Sequence, residues 1–176
     1  MFTDGSDLVN PELIRRIRDQ YALSWRGTHG VTHWARVLEN GLRLAGLTGA
    51  RPHVVALFAV FHDSRRFNES WDPHHGRRGA ALAATLHGSA FPMPDEDFAL
   101  LELACERHTD GLTEADVTVQ TCWDADRLDL GRVGIKPKRH RLCMPAARAP
   151  EIFQWAYDRS IVRHEPDFVL RAWDSP

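Results

Sequence analysis

The chain has 176 residues, with 22 Lys and Arg against 24 Asp and Glu for a formal net charge of -2. A hydrophobic share of 43% and a charged share of 26% suit a globular protein with its own core and exclude a chain too polar to collapse. The near-neutral balance excludes a general nucleic-acid or membrane-surface binder, and the three cysteines, with no CxxC pair, exclude a disulfide scaffold.

In chain order, Asn10-Pro11-Glu12 reads as a helix start, with Leu13, Ile14, Ile17, Tyr21 and Trp25 repeating at helical spacing until Gly27 and Gly30 break it. A second helix is expected over 32–45, closed by Leu47-Thr48-Gly49. A third begins near Pro52 and is almost entirely apolar as far as Phe61, the pattern of a helix buried on most sides, and it ends in His62-Asp63. Residues 64–73 read as a charged loop. Asp72-Pro73 then reads as the cap and first turn of a helix reaching Leu86, with a face of small residues. Further helices are expected over 95–108, 114–130 and 150–162, separated by Phe91-Pro92-Met93-Pro94, Thr109-Asp110-Gly111 and an irregular stretch over 131–150. The reading is all-α, a compact bundle of about seven helices in a single domain spanning 1–176. No charged-then-apolar leader opens the chain and no apolar run approaches membrane length, so a cytoplasmic protein without membrane contact is expected.

Ten histidines invite a search for ligand spacing. Read alone, His62-Asp63 is as well explained by a helix-end cap as by a metal. The wider set shifts the balance: His33 lies on the second helix, His75 opens the fourth, His108 closes the fifth, and Asp124 and Asp126 lie on the sixth. Imidazole and carboxylate sets of this kind suit Zn, Mn, Fe, Co or Ni, and Mg when water completes the shell. Asp124 and Asp126 are turned about 200° apart on a helix, so only one of them can face a shared ion. His29 and His33 have the four-residue spacing of a zinc-binding pair, but Gly30 stands where a metalloprotease needs Glu. No Gly-rich phosphate loop, dinucleotide fingerprint or nucleophile elbow occurs.

The ordered set of a helical His (His33-Trp34-Ala35-Arg36-Val37), an apolar run ending in His62-Asp63, the helix His75-Gly76-Arg77-Arg78-Gly79-Ala80, and Asp124-Ala125-Asp126-Arg127-Leu128-Asp129 resembles the HD-domain superfamily of metal-dependent phosphohydrolases. The resemblance covers roughly residues 29–130, with 131–176 as a C-terminal extension. It implies His33, His62, Asp63 and Asp126 as metal ligands, with Asp126 chosen over Asp124 by the Ala-Asp-Arg triplet. It implies His75 and His108 either as second-metal ligands or as pocket-lining groups beside a single ion, the arrangement favoured here.

The implied function is hydrolysis of a phosphate ester or anhydride, with a nucleotide as the first guess for the substrate. A divalent cation (Mn, Mg, Co, Ni, Zn or Fe) would lower the pKa of its bound water to about 7, and Asp63 and His62 would be the catalytic pair. Cationic partners for phosphate are sought in Arg66 and Arg78, with His29 as a further phosphate contact. The segment 132–141 carries Arg132, Lys136, Lys138, Arg139 and Arg141 without an acid, and reads equally as a flap over a nucleotide or as a surface loop. The alternative function is an inactive metal- or nucleotide-binding module of the same family. A small phosphate compound is the expected partner, and no long nucleic acid.

Overall fold

A computed structural model describes residues 8–174; the outer ends of the expected 1–176 domain lie outside the described residues. The fold is all-α. Its helices are α1 (Pro11–Arg18), α2 (Val31–Thr48), α3 (Pro52–Phe61), α4 (His75–Leu86), α5 (Asp95–Arg107), α6 (Val117–Arg127), the single turn α7 (Pro145–Arg148) and α8 (Pro150–Ile161). Two 3-10 turns, Leu130–Val133 and Arg139–Arg141, follow α6, and a π turn spans Val169–Trp173. Among the described residues no strand forms, and no helix is long and apolar enough to cross a membrane.

Helix α3 is the axis of the molecule, with every residue from Val54 to Phe61 buried. It packs against α2, α4, α5 and α6, which explains why its sequence shows no polar face. Trp34 of α2, Trp123 of α6, and Phe58 and Phe61 of α3 are among the largest fully buried side chains. A second apolar cluster of Leu44, Leu128, Leu142, Ala147, Ile152, Phe153 and Ala156 fixes the C-terminal segments to α2 and α6. Helix α4 approaches the ends of α3 and α5 closely. A Cβ at Gly79 would run into the Phe61 carbonyl, and one at Gly76 into the Cys105 carbonyl and the His108 ring. The small-residue face of α4 therefore brings His75 to the end of α5.

Three expected boundaries move. The first helix ends at Arg18, and Tyr21 and Trp25 lie in the loop beyond it. Their rings meet Trp34 edge-to-face at 5.3 Å each, so their apolar character serves a tertiary aromatic cluster rather than one helical stripe. Asp72 does not cap α4. Its carboxylate accepts from the Phe67 backbone N–H at 2.7 Å and from Arg78 at 2.5 Å, closing the 64–73 loop instead. Helix α4 starts three residues later, after His74 in a left-handed conformation (φ 72°). Helix α6 is shorter than the expected 114–130, because Asp116 accepts from Thr118 N–H at 2.7 Å and sets its start.

Candidate metal centre

Three elements deliver the first set of four candidate ligands. His33 lies in the first turn of α2, His62 and Asp63 directly follow α3, and Asp126 lies in the last turn of α6. His33 Nε2 lies 3.0 Å from His62 Nε2, 3.5 Å from Asp63 Oδ2 and 3.4 Å from Asp126 Oδ1. His62 Nε2 lies 3.7 Å from each of the same two carboxylate oxygens. Asp124, by contrast, is turned away and fully buried, accepting from the backbone N–H groups of Cys143 (2.7 Å) and Met144 (2.8 Å). It anchors the segment after α6, while Asp126 faces the imidazoles.

The second set shares Asp63. Its Oδ1 lies 3.0 Å from His75 Nε2 and 3.8 Å from His108 Nε2, and the two imidazole nitrogens are 2.9 Å apart. Two buried triads, His33/His62/Asp63 and Asp63/His75/His108, thus have their ligand atoms within 4.8 Å of one another, and either can hold a metal ion. The two oxygens of Asp63 point one to each triad. His75 and His108 form a ligand set of their own, which extends the expected arrangement of one ion with two lining histidines.

The tautomers follow from what the other ring nitrogens touch. His62 Nδ1 lies 3.1 Å from the Phe58 and Ala59 carbonyls, His75 Nδ1 2.6 Å from the Asp72 carbonyl, and His108 Nδ1 2.7 Å from the Cys105 carbonyl. A carbonyl only accepts, so each Nδ1 carries the proton and each neutral ring presents a bare Nε2 lone pair to the centre. His33 Nδ1 donates to Asp129 Oδ2 at 2.7 Å, and Arg36 holds that carboxylate from the other side with bonds of 2.7 and 3.0 Å. Such outer partners orient metal-binding imidazoles. Two pairs of lone pairs about 3 Å apart repel unless a cation or a proton stands between them. Asp126 Oδ1 is also buried and has no hydrogen-bond partner among the described residues. A cation between these groups satisfies them all, so the donor set fits a divalent metal.

Charge states agree with that fit. Burial pushes the His62 imidazole down to about 3, against the pull of Asp63 and Asp126, which leaves it neutral at pH 7. Burial opposes ionisation of Asp63, but the imidazoles of His62, His108, His33 and His75 gathered around it hold its carboxyl well below the usual range. Asp126 is lowered too, its burial outweighed by His62, Arg132 and His33. His108 moves the other way. Burial would lower it, but the neighbouring carboxylates of Asp63 and Asp126 raise it, so a proton there competes with a cation at the second triad.

The expected phosphate contacts divide. Arg66 is buried beside the centre, with Nη1 3.4 Å from Asp63 Oδ1 and 3.2 Å from His75 Nε2. Its Nε and Nη2 hold the Asn68 and Ser70 carbonyls at 3.2 and 2.6 Å. Arg78 bonds Asp72 and the Arg65 and Pro73 carbonyls and covers the Phe67 ring at 4.0 Å, so it braces the loop rather than the centre. His29 is buried next to His33, their ring centroids 6.3 Å apart, with Nδ1 on the Glu69 carboxylate.

Of the basic segment, Arg132 alone turns inward, while Lys136 and Arg139 lie over the Tyr157 and Phe153 rings of α8. Sequence reasoning did not single out Asp129, Arg36 or Glu69 as site residues. The first two stand three residues beyond Asp126 and His33, Asp129 just past the end of α6 and Arg36 one turn later on α2, a signal that spacing carries. Glu69 reaches the site from a loop, which leaves no periodic trace. Compared with protein-family models, with curated proteins and with solved structures, the chain matches none.

Proposed function

We propose that this protein is a metal-dependent phosphohydrolase acting on a small phosphate ester or anhydride, with a nucleotide as the leading substrate class. The observation that carries the reading is the convergence of four imidazole Nε2 atoms on the two oxygens of Asp63. Charge supports an anionic substrate. The carboxylates of Asp63, Asp126 and Asp129 are matched by the buried guanidiniums of Arg36, Arg66 and Arg132, so any divalent ion added leaves the pocket net positive. The resemblance of the ordered His, His-Asp, Asp set to HD-domain phosphohydrolases supplies the reaction class, by analogy with the family.

In this reading His33, His62, Asp63 and Asp126 hold one divalent ion, and Asp63, His75 and His108 offer a second place. The ion supplies Lewis acidity, polarising a phosphoryl oxygen and acidifying a water for attack on phosphorus. Asp63 is ionised and can accept a proton from the attacking water with whichever oxygen is not committed to a ligand bond. His29, its Nδ1 held by Glu69, stands beside His33, and its Nε2 can accept a hydrogen bond from a water or a substrate hydroxyl. Arg36 and Asp129 keep the His33 ring in one orientation through the cycle.

The test begins with metal analysis of the purified protein. Nucleoside mono-, di- and triphosphates and an aryl phosphodiester are then assayed after chelation and re-addition of Mn, Co, Ni or Mg. Turnover is expected only with added metal, and its loss in His62→Ala and Asp63→Ala with the helical circular dichroism signal retained. Absence of bound or bindable metal, or full activity in either variant, overturns the assignment.

A further inference from the structure

Arg132 enters the centre from the 3-10 turn just after α6, at 8% exposure. Its Nε donates to the Thr28 carbonyl and its Nη1 to the Asp129 carbonyl, both at 3.2 Å. Two different chain segments therefore fix the plane of its guanidinium. The working edge of the fork faces the carboxylates but stops short of them, with Nη1 3.8 Å from Asp126 Oδ1 and Nη2 4.0 Å from Asp63 Oδ2. Both separations exceed hydrogen-bond length. Among the described residues Nη2 donates to no protein acceptor. The other guanidiniums nearby are committed: Arg36 to Asp129 and the His164 carbonyl, Arg66 to two loop carbonyls and Asp63, and Arg78 to Asp72 and two carbonyls.

A buried, braced guanidinium with a spare edge beside a cation site has the shape for bidentate recognition of an oxyanion. Of its three carboxylate neighbours, Asp129, whose Oδ2 lies 3.8 Å from Nη1, is held by Arg36 and His33, and Asp63 and Asp126 are the ones that a metal ion would draw away from it. We propose that Arg132 is the phosphate anchor of this centre, donating through its Nη atoms to a phosphoryl oxygen held beside the cation. This inference rests on the phosphohydrolase reading for its ligand, and its test is separable from turnover.

Inorganic phosphate is titrated calorimetrically into Mn-loaded wild type, Arg132→Lys and Arg132→Gln. Metal affinity is measured apart by chelator competition, and folding by thermal melting. Loss of a charge-assisted pair predicts phosphate affinity at least about tenfold weaker in Arg132→Gln, with Arg132→Lys intermediate. Metal affinity should hold or rise, because a cation competing for Asp63 and Asp126 is gone. A strut would behave oppositely, with metal affinity and melting temperature falling together and phosphate binding following them. Unchanged phosphate affinity in both variants, or no phosphate binding by metal-loaded wild type, overturns the proposal. Should neither variant fold, phenylglyoxal labelling of wild type, mapped by mass spectrometry, replaces them. Phosphate should shield Arg132, and equal labelling with and without phosphate overturns the anchor. Phosphate binding through Arg132 in a protein that hydrolyses no ester would sink the enzymatic reading and leave the anchor standing; turnover with intact phosphate binding in Arg132→Gln does the reverse.

Discussion

Replacing Asp129 by Asn probes how the centre is held, because Asp129 touches no candidate metal place directly. Its carboxylate is fully buried and joins the His33 Nδ1–H to the Arg36 guanidinium by bonds of 2.7, 2.7 and 3.0 Å. The amide keeps the shape but loses the charge, and its N–H₂ confronts either the imidazole N–H or the guanidinium. Arg36, at 2% exposure, is left as an uncompensated buried cation. Breaking such a pair from one side costs about 3–5 kcal/mol. For a chain of this length that is a drop of roughly 6–20 °C in melting temperature.

The His33 ring also loses the acceptor that fixes its tautomer, and outer-partner substitutions of this kind weaken metal binding by about 10–100-fold. The two effects separate on adding Arg36→Met to Asp129→Asn. Removing the orphaned charge should restore part of the melting temperature, while the metal affinity stays low. Calorimetric melting of the metal-free protein and Co titration against a chelator measure each arm. An Asp129→Asn protein that binds Co as tightly as wild type would refute the claim that Asp129 sets the His33 ring.

Two further outcomes follow from charge and placement. In the metal-free protein, burial lowers His62 to about 3, and it also lowers His29 and His164, so the unfolded chain binds more protons than the native one at acid pH. Stability should therefore fall as pH drops below about 6.5, by on the order of 2 kcal/mol from His62 alone on reaching pH 5; the raised His108 works in the opposite sense, strengthening the fold as pH falls toward about 6.5. Melting temperatures of the metal-free protein between pH 8 and 5 check this, and a flat or rising trend from 6.5 to 5 would contradict it. Asp124→Asn and Asp126→Asn, two residues apart, should part company: the first lowers thermal stability and keeps metal affinity, the second weakens metal binding most. Chelator competition and melting on both variants decide the pair, and matching losses of metal affinity would mean that the contrast between their environments has no consequence for binding.

Helix content and the buried axis of α3 were legible in the amino-acid sequence, because the eight-residue apolar run from Val54 to Phe61, ending at the His-Asp doublet, leaves a helix no exposed face. The candidate ligands were legible too, since imidazoles and carboxylates at helix ends are few and chemically distinctive. Boundaries were less so. Tyr21 and Trp25 continue a helical period that the chain abandons at Arg18, since periodicity records which residues are buried but not which partner buries them. Asp72 has the residue type of a cap, yet the Phe67 N–H and Arg78 take its oxygens first.

Only the tertiary structure decided that Asp126 faces the imidazoles while Asp124 anchors Cys143 and Met144. It alone divided Asp63 between two triads and turned Arg132 inward from a segment otherwise laid on the surface. Those outcomes depend on side chains meeting across separations of 29 to 96 residues, as in His33 with His62 and with Asp129. Local sequence specifies a side chain's chemistry and its face on a helix, whereas packing of helix against helix sets where that face points.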